Sequence, residues 1–125
     1  MLGKYTAITT IAVNDLENGE YFYESVLGLK KVDYHPLGMR FISGGGIITL
    51  YESSTAGTGQ GVVAWWVVEN VDSMVKRLRK RGVTFMAMPE LPYVANDNQV
   101  YSIAKDHKVA WFKDPDGNIL GIGNK

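Results

Sequence analysis

The chain has 125 residues, with 13 basic and 13 acidic side chains and no cysteine. That length suits one domain with a core of its own, and the balanced charge gives no electrostatic case for nucleic acid or an anionic membrane. The missing thiols exclude disulfides and cysteine metal sites, and with no signal-like start and no membrane-length apolar run a cytoplasmic protein is expected.

Tyr5 to Val13 is apolar and β-branched and reads as a strand. Asn14-Asp15 then offers a cap for a helix from Leu16 to Leu27, in which Phe22, Tyr23, Val26 and Leu27 fall at helical spacing. Gly28 stops it. Three short strands follow, Leu29 to Tyr34, Met39 to Ser43 and Ile47 to Glu52, separated by His35-Pro36-Leu37-Gly38 and Gly44-Gly45-Gly46. Ser53 to Gly61 is small, polar and glycine-rich and reads as a mobile connection.

Val62 to Val68 is the next strand and Val71 to Arg81 the second helix. Val71, Met74, Val75 and Leu78 share one face. Lys76, Arg77, Arg79, Lys80 and Arg81 take the other, as a solvated face with cations favourably near the C-terminal dipole. Thr84 to Met88 is a short strand, Pro89 to Asn98 an irregular loop, and Val100 to Phe112 holds one or two strands. Asp114-Pro115-Asp116-Gly117-Asn118 is a tight turn: proline cannot continue a ladder, and the residues after it tolerate left-handed backbone. Ile119 to Gly123 is the closing strand.

This order repeats. Ile8 to Val26 lies on Val63 to Arg81 without a gap, and Gly46-Ile47-Ile48-Thr49-Leu50 resembles Asn118-Ile119-Leu120-Gly121-Ile122. The fold class is α+β, with a module at about 5–52, a linker at about 53–61 and a second module at about 62–123.

Two βαβββ copies, closed by the Lys108 to Gly123 signature, resemble the vicinal oxygen chelate superfamily of glyoxalases, bleomycin resistance proteins and extradiol dioxygenases. The resemblance implies a single domain whose modules form a curved, barrel-like mixed sheet around a cavity, with helices outside. It also implies sheet pairing across a two-fold axis, hence a homodimer. Metal enzymes of the superfamily place their ligands at positions that fall here on Ile8, Thr49, Val63 and Gly121. None is a histidine or a carboxylate, the donors that hard divalent cations take. Neither strand bearing Ile8 or Val63 contains such a residue, so a one-residue slip restores nothing. No metal and no other cofactor is therefore expected. His35 and His107 lack ligand spacing and read as surface residues.

Strand alternation sets Ile8 and Thr10, Thr49 and Tyr51, and Val63 and Trp65 on the former ligand face, with Trp111 and Gly121 beside them. These eight are the candidate ligand-binding residues. Such a lining suits a planar or aromatic organic molecule held by stacking and a few hydroxyls. The other reading of Trp65 and Trp66 is that they fill the barrel and leave no pocket. Tyr93 and Tyr101 read as a lid, a rim or ordinary exposed tyrosines, and Arg40 as solvent-facing. Three functions stay open: a binding protein, a lyase or dioxygenase-type enzyme with a site not evident from the motifs, and an interaction scaffold.

Overall fold

A computed structural model describes residues 1–125, which divide into two compact units, Met1–Gly57 and Thr58–Lys125. The fold is α+β, with mixed strands in two sheets and few helices. No helix is long and apolar enough to cross a membrane.

The first unit begins with a short 3-10 turn, Leu2–Lys4, before strand β1, Thr9–Val13. The Asp15 carboxylate caps helix α1, Leu16–Glu20, by accepting from Asn18 N at 3.3 Å. The helix then widens into a π-type segment, Tyr21–Val26, where Leu27 N reaches back five residues to Phe22 O at 2.9 Å. Strands β2 (Lys30–His35), β3 (Gly38–Ser43) and β4 (Gly46–Glu52) complete a sheet ordered β1-β4-β3-β2. The β1–β4 pair is parallel and the others antiparallel. Ile11, Val13, Met39, Phe41, Ile48 and Leu50 point to one face and are buried with Phe22 and Tyr23. The contact is close at Gly19, where an added Cβ would stand 3.2 Å from Leu50.

The strand expected from Tyr5 starts only at Thr9, because β1 is defined by its ladder with β4, which begins at Thr9↔Ile48. The start of the connection is anchored: Ser53 N donates to Val13 O at 2.9 Å, and Ala56 is buried.

The second unit contains β5 (Val62–Val67), α2 (Val71–Lys80), β6 (Phe85–Met86), β7 (Tyr101–Ala104), β8 (His107–Lys113) and β9 (Ile119–Gly123). Asn70 caps α2 by accepting from Ser73 N, and Val71, Val75 and Leu78 are its buried face. The sheet runs β5-β9-β8-β6, with β7 also on β8. Both β6 and β7 therefore occupy the one free edge of β8, β6 against Phe112 and Trp111, β7 against Val109 to His107. The first unit fills that edge with the single strand β2. In the second, Pro89 and the loop after it split the strand in two, which is why Thr84 to Met88 shrinks to Phe85–Met86.

The β8–β9 turn is tied from inside. Asp114 is buried, and its Oδ1 accepts from the backbone N–H of Asp116 and of Asn118, both at 2.9 Å. Its Oδ2 accepts from the Asn118 side-chain amide at 2.8 Å.

Candidate functional site

The two ladders share one register. In the first unit Thr49 of β4 sits between Thr10 of β1 and Arg40 of β3. In the second, Gly121 of β9 sits between Trp65 of β5 and Trp111 of β8. Equivalent places thus carry a polar row in one unit and an aromatic row in the other.

In the first unit Ile8, Thr10, Thr49 and Tyr51 do come together. They line a cavity of about 630 Å³ with His35, Pro36, Leu37, Arg40 and Glu52. That volume lies in the range of small-molecule sites, roughly 300–1,000 Å³. Ile8 is left exposed because it precedes the β1 ladder. Glu52 at the end of β4 accepts from Leu16 N at 3.1 Å, so its charge meets the N-terminus of α1. His35 Nδ1 accepts from Leu37 N at 3.2 Å, which places the proton of a neutral ring on Nε2. His35 is exposed, and it is a cavity residue as well.

Arg40 lines this cavity while its side chain stays 37% exposed, so the solvent-facing expectation and a place at the cavity hold together. Its guanidinium lies side-on to Asp33, Nε to Oδ1 at 2.8 Å and Nη2 to Oδ2 at 2.6 Å. Asp33 and Arg40 are cross-strand partners, so the row reads Asp33, Arg40, Thr49, Thr10 across all four strands. The hydrogen bond from Arg40 holds the Asp33 carboxyl below its ordinary range.

In the second unit Val63, Trp65 and Val67 share the exposed face of β5, while Ala64 is buried. Trp66 turns to the other side, where it stacks on Phe112 at 6.4 Å. Trp65 is still 39% exposed, so it does not simply fill the core. Its ring lies across β9. A Cβ on Gly121 would stand 2.4 Å from Trp65 Cε3 and 3.2 Å from Trp111 Cδ1, and one on Gly123 would stand 2.5 Å from Trp65 Cζ2. Trp65 Nε1 donates to Lys125 O at 3.2 Å. Trp111 meets Trp65 edge-on at 6.1 Å and Tyr101 at 5.7 Å.

Tyr101 is neither lid nor rim. It is a buried residue of β7 whose hydroxyl accepts from Met88 N at 2.8 Å. Tyr93 is the exposed one, at 42%.

A resident metal does not fit these positions. Ile8 and Val63 carry no donor atom, Thr49 has only a hydroxyl, and the space a side chain would need at Gly121 holds the Trp65 ring. No three histidine, cysteine, aspartate or glutamate side chains are grouped to hold an ion elsewhere.

The model of the Glyoxalase/Bleomycin resistance protein/Dioxygenase superfamily matches residues 5–122. Among solved structures, the chain is similar to a member of that superfamily from Sphaerobacter thermophilus DSM 20745, at 25% identity and TM-score 0.69, covering 98% of each chain. It is similar to TnmS3, an antibiotic binding protein from Streptomyces sp. CB03234, at 22% identity and TM-score 0.66, covering 95% of each. It is also similar to a lactoylglutathione lyase from Agrobacterium tumefaciens, at 21% identity and TM-score 0.64, covering 96% of this chain and 92% of that one. At these identities the likeness is one of fold. No curated protein matches the sequence.

Proposed function

With residues 5–122 matching its family model, the chain belongs to the Glyoxalase/Bleomycin resistance protein/Dioxygenase superfamily, and from that premise we propose that it is a metal-free binding protein for a planar or aromatic organic molecule, working as a homodimer. The observation that carries the reading is Gly121. Where the superfamily's metal enzymes need a carboxylate, this chain has a glycine covered by a tryptophan ring. A donor position has become part of an aromatic surface formed by Trp65 and Trp111.

The cavity of the first unit supports the same reading from the other side. Ile8, Pro36, Leu37 and Tyr51 supply apolar surface, and Thr10, Thr49 and Arg40 supply a few directed polar groups. That mixture fixes the orientation of a drug-sized ligand without activating it. A structural neighbour described as an antibiotic binding protein agrees with such a role.

The alternative is a lyase or dioxygenase-type enzyme. It would have to draw on His35, Tyr51 and Glu52, the proton-bearing groups of the cavity. Two of these are already engaged with backbone N–H groups, Glu52 with Leu16 and His35 with Leu37.

Native mass spectrometry decides between them. Protein purified without a metal column or chelator is measured before and after addition of divalent metals. The expected species is a metal-free dimer, with a co-purified organic adduct where one is retained. A stoichiometric metal that survives buffer exchange would sink the binding reading and move the enzyme to first place.

A further inference from the structure

Resting on the binding reading above, we propose that the cavity of the first unit is built for an aromatic ligand carrying an anionic oxygen, a carboxylate foremost, which docks on the guanidinium of Arg40. Of the charged groups around this cavity, Arg40 is the one cation with donors to spare. A guanidinium has five N–H donors. Asp33 takes two of Arg40's, from Nε and Nη2. Three remain, on a residue that lines the cavity.

Asp33 does not line the cavity. It lies on the outer strand β2 and holds the arginine by a side-on pair, which makes it a positioning residue. The rotamer freedom of a long side chain is then largely spent before any ligand arrives, and the rigid fork matches a carboxylate's two oxygens. The adjacent Thr49 and Thr10 continue the row across β4 and β1 with hydroxyls. Thr10 Oγ1 makes a long bond of 3.4 Å to Ile8 O and keeps its lone pairs for a ligand hydroxyl. Opposing charge is present in Glu52, but its Oε1 is taken by Leu16 N at the start of α1. The Arg40 side of the cavity therefore offers a guanidinium beside apolar surface, which suits an aromatic acid, with the Glu52 carboxylate held at the start of α1.

The test uses a naphthalene carboxylate and its primary amide, titrated by calorimetry into the wild-type chain and into Arg40→Gln and Arg40→Lys. The carboxylate is expected to bind the wild type about tenfold or more tightly than the amide, the size of one charge-assisted hydrogen-bonded pair. Arg40→Gln should erase that preference, so that acid and amide bind the variant with affinities within about twofold of each other. Arg40→Lys keeps the charge without the fork, and should retain only part of the preference. It also covers the case in which the glutamine variant fails to fold. Equal binding of acid and amide to the wild type, or a preference that survives Arg40→Gln, would overturn the inference while leaving the binding function intact. If neither compound binds the wild type, the binding function itself falls, and the role of Arg40 with it.

Discussion

The two units solve one backbone problem with opposite chemistry. Each centres on a last strand flanked by the unit's first strand and its next-to-last, at Thr10–Thr49–Arg40 in one and Trp65–Gly121–Trp111 in the other. In the first, a threonine stands at the centre, and the row stays polar and lines a cavity. In the second, the central residue has no side chain, so an indole lies flat over the strand. The lesson is that a glycine at a ladder centre is set by its neighbour. Gly121 and Trp65 are one feature, and neither can be read alone.

The largest expected effect probes where each unit brings atoms closest. In the first unit that place is Gly38, where a Cβ would stand 1.7 Å from Leu50 O, a backbone atom. Gly38→Ala must push β3 off β4, and should cost about 3 kcal/mol or more by urea unfolding. In the second unit the obstacle is a ring, which can move. Gly121→Ala should cost about 2 kcal/mol, and the double variant with Trp65→Ala should lose less than the sum of the single losses. Strict additivity would dissolve the pairing of Gly121 with Trp65.

The β-hairpins differ in the same spirit. The β3–β4 turn is made of glycines with open space around Gly44 and Gly45. The β8–β9 turn is held by the buried Asp114. Asp114→Ala strands several donors, and should destabilise by about 2 kcal/mol in a thermal or urea melt. Gly45→Ala should change stability by less than about 0.5 kcal/mol.

The smallest effect separates the ion pairs that tie helix to sheet. In the second unit Lys108 donates to Asp72 at 2.9 Å and holds its carboxyl below the ordinary 3.8, against the opposing effect of burial. A lowered folded value means the contribution is complete above 3.8 and is lost as pH falls through the folded value. In the first unit the Glu20 hydrogen bond raises Lys31 above 10.5, so that contribution is complete below 10.5 and is lost as pH rises beyond it. The Asp72 pair is partly exposed and should be worth well under 1 kcal/mol. Lys108→Met should flatten the acid limb of the stability curve, measured by urea melts across that pH range.

Much of the fold was legible because it rests on local pattern. The cap at Asp15, the buried face Val71, Val75 and Leu78, and the alternation of Trp65 and Trp66 all follow from spacing. What spacing does not carry is the identity of the neighbour. Tyr5 to Ile8 has strand composition but no ladder partner. Tyr101 falls in a segment read as strand, but its buried place is fixed only when β8 receives it. Arg40 shows the same limit: a lone arginine in a strand reads as solvent-facing, and only the β2–β3 register brings Asp33 beside it. The family resemblance put the superfamily's ligand positions on Ile8, Thr49, Val63 and Gly121, but the reason for Gly121 needed the ring above it.

The parallel ladders also fix an order of events. Each unit joins its first strand to its last, β1 to β4 and β5 to β9, and that last strand lies inside the sheet rather than at its edge. On a ribosome the first unit can close once Glu52 has emerged. The second holds β5, α2 and the outer strands without their centre until Gly123 is free. Its closing contact spans the whole unit, and contacts of that reach form late. During synthesis the aromatic face therefore forms late within its own unit, with Trp65 uncovered until the glycines of β9 pair beneath it.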